Sequence, residues 1–250
     1  MTLNDDDKST TKMRIVFDAS AKINHESPCL NDILYKGPQL TPQLYVVLLR
    51  FRSYPIVLIA DIEKAFLQIA IKETDRNFLR FLWFDDILAE QPTIVRNRFA
   101  RLVFGLTSSP FCLNGTIRNH VSQYEFDPLF VQKVVRSFFV DDFIGGHVND
   151  KEVVKLFKQL KLRFIEGNFY LRKWHTNNEN VRNYINHITN STAPPQTNGK
   201  ILGLVWNEQT DKLCFDFSEL LKSAKALKPT KRNIFVFVLR SCGTHSTYFD

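Results

Sequence analysis

Residues 138–146 read Phe-Phe-Val-Asp-Asp-Phe-Ile-Gly-Gly, FFVDDFIGG. Apolar residues on both sides of Asp141-Asp142 predict a tight hairpin, with arms over 134–140 and 143–144 and Gly145-Gly146 closing it. An Asp-rich turn is common in itself, because Asp tolerates turn geometry. Here Phe138, Phe139, Val140, Phe143 and Ile144 keep the turn from projecting freely into water. Two adjacent carboxylates near an apolar core repel each other, and a divalent cation removes that conflict. Mg²⁺ prefers oxygen ligands and takes one or two carboxylates plus substrate phosphates.

A third carboxylate extends the pattern. Residues 56–60, Ile-Val-Leu-Ile-Ala, form a continuous apolar run that predicts a strand buried on both faces, and Asp61 ends it. If that strand lies beside the 134–144 hairpin, Asp61 and Asp141 meet at one edge of the sheet. Three carboxylates around two metal ions suit phosphoryl transfer. A helix cap ahead of Glu63-Lys64-Ala65 is the alternative for Asp61.

The composition is compatible with this chemistry. Apolar residues make up 44% of 250, which fits a globular chain and excludes a disordered one. Lys and Arg number 33 against 26 acids, so a polyanionic partner is favoured, although a basic surface also serves solubility. The basic residues are spread from Lys22 to Lys173, which suits a charged groove better than a basic tail. Cys29, Cys112, Cys214 and Cys242 make no CxxC pair, so neither a zinc site nor a disulfide framework is indicated and an intracellular, reducing location is expected. The acidic, polar start is no signal peptide, and no apolar run approaches the roughly 20 residues of a membrane span.

Periodicity and punctuation predict the remaining elements. Residues 14–17 read as a strand, and Leu44, Val47, Leu48 and Phe51 as a helix face stopped by Pro55. Residues 78–84 and 94–104 read as a strand pair. Ser108-Ser109-Pro110 opens a helix running to about 122. Asn149-Asp150 caps an amphipathic helix that Gly167-Asn168 ends, and 169–174 is a short strand. Residues 176–199 read as a long polar loop, and 201–206 with 213–217 as a hairpin around Asp211.

Eight ordered blocks carry a resemblance. TKMRIVFDASAK (11–22), LNDILYKGPQL (30–40), LLRFR (48–52), ADIEKAFLQI (60–69), FGLTSSPF (104–111), FVDDFIGG (139–146), LRKW (171–174) and LGLVW (202–206) resemble the reverse transcriptase domain of BEL/Pao long-terminal-repeat retrotransposons. The resemblance spans about 11 to 233. It implies an α+β right-hand polymerase of fingers and palm, with an antiparallel palm sheet and packed helices. It also implies two Mg²⁺ ions (or Mn²⁺), a dNTP, an RNA or DNA template with its primer, and no membrane. The implied reaction is attack of the primer 3′-hydroxyl on the α-phosphate of the dNTP.

The resemblance assigns roles block by block. Asp61, Asp141 and Asp142 resemble the catalytic, metal-holding carboxylates. Phe139 stands where the family usually has Tyr, against the primer. Phe66 resembles the ring that excludes a 2′-hydroxyl, with core packing as its alternative. Arg14 resembles the arginine that holds the triphosphate, with a solvated surface arginine as its alternative. Phe104 and Gly105, with Ser109 and Pro110, resemble the block against nucleotide and template. Lys173 resembles the lysine that protonates the leaving pyrophosphate, and a lysine snorkelling beside Trp174 is the alternative. Leu202 and Gly203 resemble the hairpin that grips the primer end, or form a plain edge hairpin.

The organisation expected on this basis is a truncated, disordered 1–13, fingers and palm over 14–206, and an incomplete thumb over 207–250. The family's protease, RNase H and integrase regions are expected to be missing, and 236–250 departs from its pattern. A second reading is therefore an inactive retroelement remnant that at most binds nucleic acid. A third is an unrelated Mg²⁺ enzyme acting on nucleotide sugars, which does not explain FGLTSSP or LRKW.

Overall fold

A computed structural model describes residues 2–4, 13–124, 127–190, 198–218, 221–222 and 230–231. The unmatched tail 236–250 and the Pro194-Pro195 stretch lie outside the described residues.

The chain opens with β1 (Thr2–Asn4), paired antiparallel with β2 (Met13–Ile15). A short α1 (Leu30–Ile33) precedes α2 (Leu44–Ser53), which buries Val47 and Phe51, as their four-residue spacing predicts. β3 (Ile56–Ile62) follows Pro55 and is buried from Val57 to Ala60. Two 3₁₀ turns, Ala65–Gln68 and Glu73–Phe78, lead into β4 (Arg80–Phe84), which pairs antiparallel with β5 (Ile94–Arg98). The predicted second strand of that pair is shorter than 94–104. Beyond Arg98 the chain keeps a single bridge, Arg101 to Ala70.

α3 (Ser109–Tyr124) begins at the expected serine–proline signal, and the Cys112 amide closes its first turn on the Ser108 carbonyl at 3.0 Å. The next element corrects the sequence reading. Residues 134–137 are not a hairpin arm but the end of α4 (Pro128–Ser137). Asp127 caps this helix by accepting from the Leu129 and Phe130 amides, and Pro128 occupies its first turn. Phe130, Val134 and Ser137 are its buried stripe, at spacings of four and three. Valines 131, 134 and 135 favour a strand locally, but the cap and the buried stripe prevail.

The hairpin keeps its turn with shorter arms, β6 (Phe138–Phe139) and β7 (Asp142–His147), in antiparallel register Phe138 to Phe143 and Phe139 to Asp142. α5 (Asp150–Glu166) and β8 (Leu171–His175) follow as expected. Residues 176–199 are not one long loop. Asn178 caps α6 (Glu179–Thr189), which buries Val181 and Ile185, and β9 (Asn198–Ile201) follows. β9, β10 (Leu204–Asn207) and β11 (Lys212–Phe215) form a three-stranded antiparallel sheet, so the predicted 201–206 strand is two strands joined at Leu202-Gly203. Leu202 and Gly203 have φ of 49° and 85°, and that turn reverses the chain.

The central sheet has strand order β6-β7-β3-β8. Its inner strands β7 and β3 carry continuous buried runs instead of alternating ones, as strands covered on both faces must. The chain divides into two compact units, and β3, β7, α5 and β8 each pass from one to the other. In the first unit (Met1–Pro42, Asp61–Phe143, Gln159–Arg172) the Phe138 ring packs on Phe143 at 5.4 Å and on Phe164 at 5.0 Å. In the second (Gln43–Ala60, Ile144–Lys158, Lys173–Asp250) the buried Trp206 meets Phe51 edge-on at 5.2 Å. That unit also buries Glu208, whose carboxylate binds His175 Nδ1 at 2.7 Å and Arg182 Nη2 at 3.0 Å. A carboxylate so enclosed requires such partners.

Candidate active site

The turn between β6 and β7 consists of Val140 and Asp141, and Val140 has φ of 58°. A β-branched residue in the left-handed region is strained, and such strain persists only where the surroundings impose it. One of those surroundings is β3. The Ile62 amide donates to the Asp141 carbonyl at 3.0 Å, which places Asp61 beside the turn that carries Asp141 and Asp142. All three aspartates are half-buried. The packing of apolar strands on both sides thus delivers the three carboxyl-bearing positions to one edge of the sheet.

Two further charges join them from the same unit. The Glu63 amide donates to the Tyr170 carbonyl at 2.8 Å, drawing Arg172 to the end of β3. Arg172 Nη1 donates to Glu63 Oε1 at 2.8 Å, and Arg172 Nε lies 3.7 Å from Asp61 Oδ2. The first contact is a charge-assisted hydrogen bond. The second is an ion pair too long to be one. Arg172 Nε is buried and has no hydrogen-bond acceptor.

Among the described residues no group of three or more His, Cys, Asp or Glu side chains is disposed to hold a metal ion. The aspartates still suit Mg²⁺ in kind. They are oxygen donors, the ligand type that Mg²⁺ takes, on backbone positions that the β3–turn hydrogen bond sets side by side. Asp61 already answers its charge with a cation, Arg172.

A second cluster in the first unit surrounds Gly105. Phe66 is buried and meets the Phe104 ring edge-on at 4.8 Å, while Phe104 stays 37% exposed. The Phe17 amide donates to the Phe104 carbonyl at 3.2 Å. Gly105 has φ of 104°, and a Cβ there would strike the Phe17 carbonyl. The Asn31 side chain pins the loop from both directions: Nδ2 donates to the Gly105 carbonyl at 2.8 Å and Oδ1 accepts from the Thr107 amide at 3.0 Å. Ser109 is buried and spends its hydroxyl on the Val103 carbonyl at 2.7 Å, whereas Pro110 is exposed.

Phe139 is half-buried on β6, opposite Asp142, and Arg14 lies on β2. Lys173, Leu202 and Gly203 belong to the second unit. Lys173 is exposed on β8 with φ of 51°, and Leu202-Gly203 forms the β9–β10 turn. Glu63, Arg172 and Asn31 escaped the sequence reading although each lies inside a block it quoted. Their roles depend on hydrogen bonds across 74 to 109 residues, which no local spacing encodes.

No family model and no curated protein matches the chain. Solved structures do. A foamy viral protease-reverse transcriptase in complex with an RNA/DNA hybrid superposes with a TM-score of 0.50 at 13% identity, covering 80% of this chain and 23% of that one. A foamy viral protease-reverse transcriptase in complex with double-stranded DNA gives 0.55 at 15% identity, covering 89% and 31%. The fold is similar to that of these reverse transcriptase structures. The chain spans under a third of the length of those reverse transcriptases. The expected α+β fold of helices and antiparallel strands is thereby established. Among the described residues no helix is long and apolar enough to cross a membrane.

Proposed function

We propose that the chain is the polymerase portion of an RNA-directed DNA polymerase, a nucleotidyltransferase of the BEL/Pao retrotransposon type. The observation that supports this reading is the Ile62–Asp141 backbone hydrogen bond, which sets Asp61 beside the Asp141-Asp142 turn in a fold similar to that of reverse transcriptases.

Asp61, Asp141 and Asp142 would hold two Mg²⁺ ions. When bound, those ions lower the pKa of the primer 3′-hydroxyl and neutralise the triphosphate and the departing pyrophosphate. Arg14 holds the triphosphate through its forked guanidinium. Phe66, braced by Phe104, closes the space that a 2′-hydroxyl needs. Gly105, required by its positive φ and by the Phe17 carbonyl beside it, keeps the loop against the nucleotide in shape. Phe139 and the exposed Pro110 in the first turn of α3 face primer and template, while Ser109 braces that turn from inside. Lys173 delivers a proton to the pyrophosphate, and Leu202-Gly203 steadies the primer end.

A polynucleotide partner also suits the β4–β5 ribbon. Cross-strand pairs Arg80–Arg98, Leu82–Arg96 and Phe84–Ile94 share one face, and all six residues are exposed. Like charges directly opposite each other destabilise a ribbon unless an anion answers them. Arginines interleaved with apolar and aromatic side chains suit a single strand's phosphates and bases.

A remnant that only binds nucleic acid is the second reading, and the engagement of Asp61 by Arg172 favours it. Template-directed primer extension separates the two.

A further inference from the structure

We propose that the β4–β5 ribbon is a self-association surface, on which a second copy of this chain lies antiparallel with its tip against the first copy's stem. The inference goes beyond the polymerase reading and does not depend on it.

The ribbon carries its charge in two blocks. Arg80, Arg96 and Arg98 stand on the strands, and Asp85, Asp86 and Glu90 stand in the turn that joins them. All six are exposed. Three arginines are thus matched by three acids at the other end of one element. Five cross-strand pairs, from Arg80–Arg98 to Phe84–Ile94, hold those ends apart, so the tip cannot fold back onto its own stem.

The tip is a built turn. The Asp85 carboxylate accepts from the Asp86 amide at 2.7 Å and from the Thr93 amide at 2.9 Å. Asp86 Oδ1 accepts from the Leu88 amide at 2.9 Å. This turn holds Ile87 62% and Leu88 93% exposed. Leu82, Phe84 and Ile94 continue the exposed apolar strip into the strands. Large apolar side chains bounded by charge have the anatomy of a protein contact. Among the described residues the two strands pair with no third.

A two-fold axis at the Phe84–Ile94 pair satisfies both features. Arg96 lies two residues to one side of Ile94, about 7 Å along the strand, and the acidic turn lies to the other. Crossing two ribbons there sets each arginine block on the other copy's acidic turn, with the apolar side chains between them. Such an interface is isologous and closes at two copies. A second copy fits because one sequence answers both charge blocks. A single strand on the arginines and a second copy exclude each other.

The test is sedimentation velocity of the full chain at low and high salt. The wild type is expected to form a dimer that weakens as salt rises, because its charge pairs are exposed. Arg80→Glu/Arg96→Glu makes the ribbon predominantly acidic, and Asp86→Lys/Glu90→Lys makes it predominantly basic. Each variant should be monomeric alone. Their equimolar mixture restores opposite charges at both ends and should associate at least about tenfold more tightly than either variant with itself. Mixing does not rescue side chains whose role is only to shape the ribbon. Should either double variant fail to fold, Arg96→Glu and Glu90→Lys make the same exchange singly. A wild type that stays monomeric at low salt overturns the inference. So does a dimer that both variants retain, or a mixture no more associated than its components. A monomeric wild type that binds a labelled single strand through Arg80 and Arg96 overturns it too, and leaves the ribbon to nucleic acid alone.

Discussion

The Ile62 amide donates to the Asp141 carbonyl at 3.0 Å, joining the end of β3 to the strained turn between β6 and β7. Both partners are backbone atoms, so the juxtaposition does not depend on the Asp141 carboxylate. Asp141→Asn is expected to keep the fold, with stability within about 1 kcal/mol of wild type. Thermal melting followed by circular dichroism checks this.

Gly105→Ala combines a positive φ with a clash against the Phe17 carbonyl. The expected loss is about 2 kcal/mol or more. In a chain of this size that is a fall of about 5 °C in Tm, measurable by calorimetry. An unchanged Tm would mean that the loop fixed by Asn31 yields freely.

Glu208 is the buried acid between His175 and Arg182. Glu208→Ala leaves Arg182 without its carboxylate, and the expected destabilisation is about 3–5 kcal/mol by denaturant titration. Glu208→Gln, which keeps hydrogen-bonding atoms, should cost less.

Asp32 accepts from Lys22 at 2.8 Å and from the Cys29 amide at 3.0 Å. Lys22, then the Cys29 backbone, holds its carboxyl down to about 2 from 3.8. Its folded pKa lies below the unfolded one, so its contribution to stability is complete above about pH 3.8 and is lost as pH falls toward about 2. Lys22→Gln should flatten the stability profile in that window and leave it unchanged at neutral pH beyond the loss of one exposed pair. Urea midpoints taken across pH 2–5 read this out.

Arg80 and Arg96 share the exposed face of the β4–β5 ribbon. If they meet single-strand phosphates, Arg80→Gln/Arg96→Gln lowers the slope of log affinity against log salt by about 1.4, roughly 0.7 per contact. Fluorescence anisotropy of a labelled single strand at several salt concentrations gives the slope. An unaltered slope removes the ribbon from the interface.

The elements that carry the candidate site were legible because their signals are local. The apolar run before Asp61, the Asp pair between aromatic residues and the serine–proline helix start each act within a few residues, and each lies in the element expected. Two elements were misread for a shared reason. In α4 the β-branched valines outweighed the Asp127-Pro128 cap, and in α6 a polar surface hid the two buried positions Val181 and Ile185. Local propensity yields to tertiary burial in both. Arg172 was illegible because its meaning lies in Asp61 and Glu63, more than 100 residues away. A sequence shows a basic residue there but not the carboxylates that it answers.

The most direct test of the central claim is primer extension on poly(rA)–oligo(dT) with dTTP and Mg²⁺, comparing the full wild-type chain with Asp141→Asn. The account predicts extension by the wild type and none by the folded Asp141→Asn protein. Extension by both, or none by soluble, folded wild type, would contradict it.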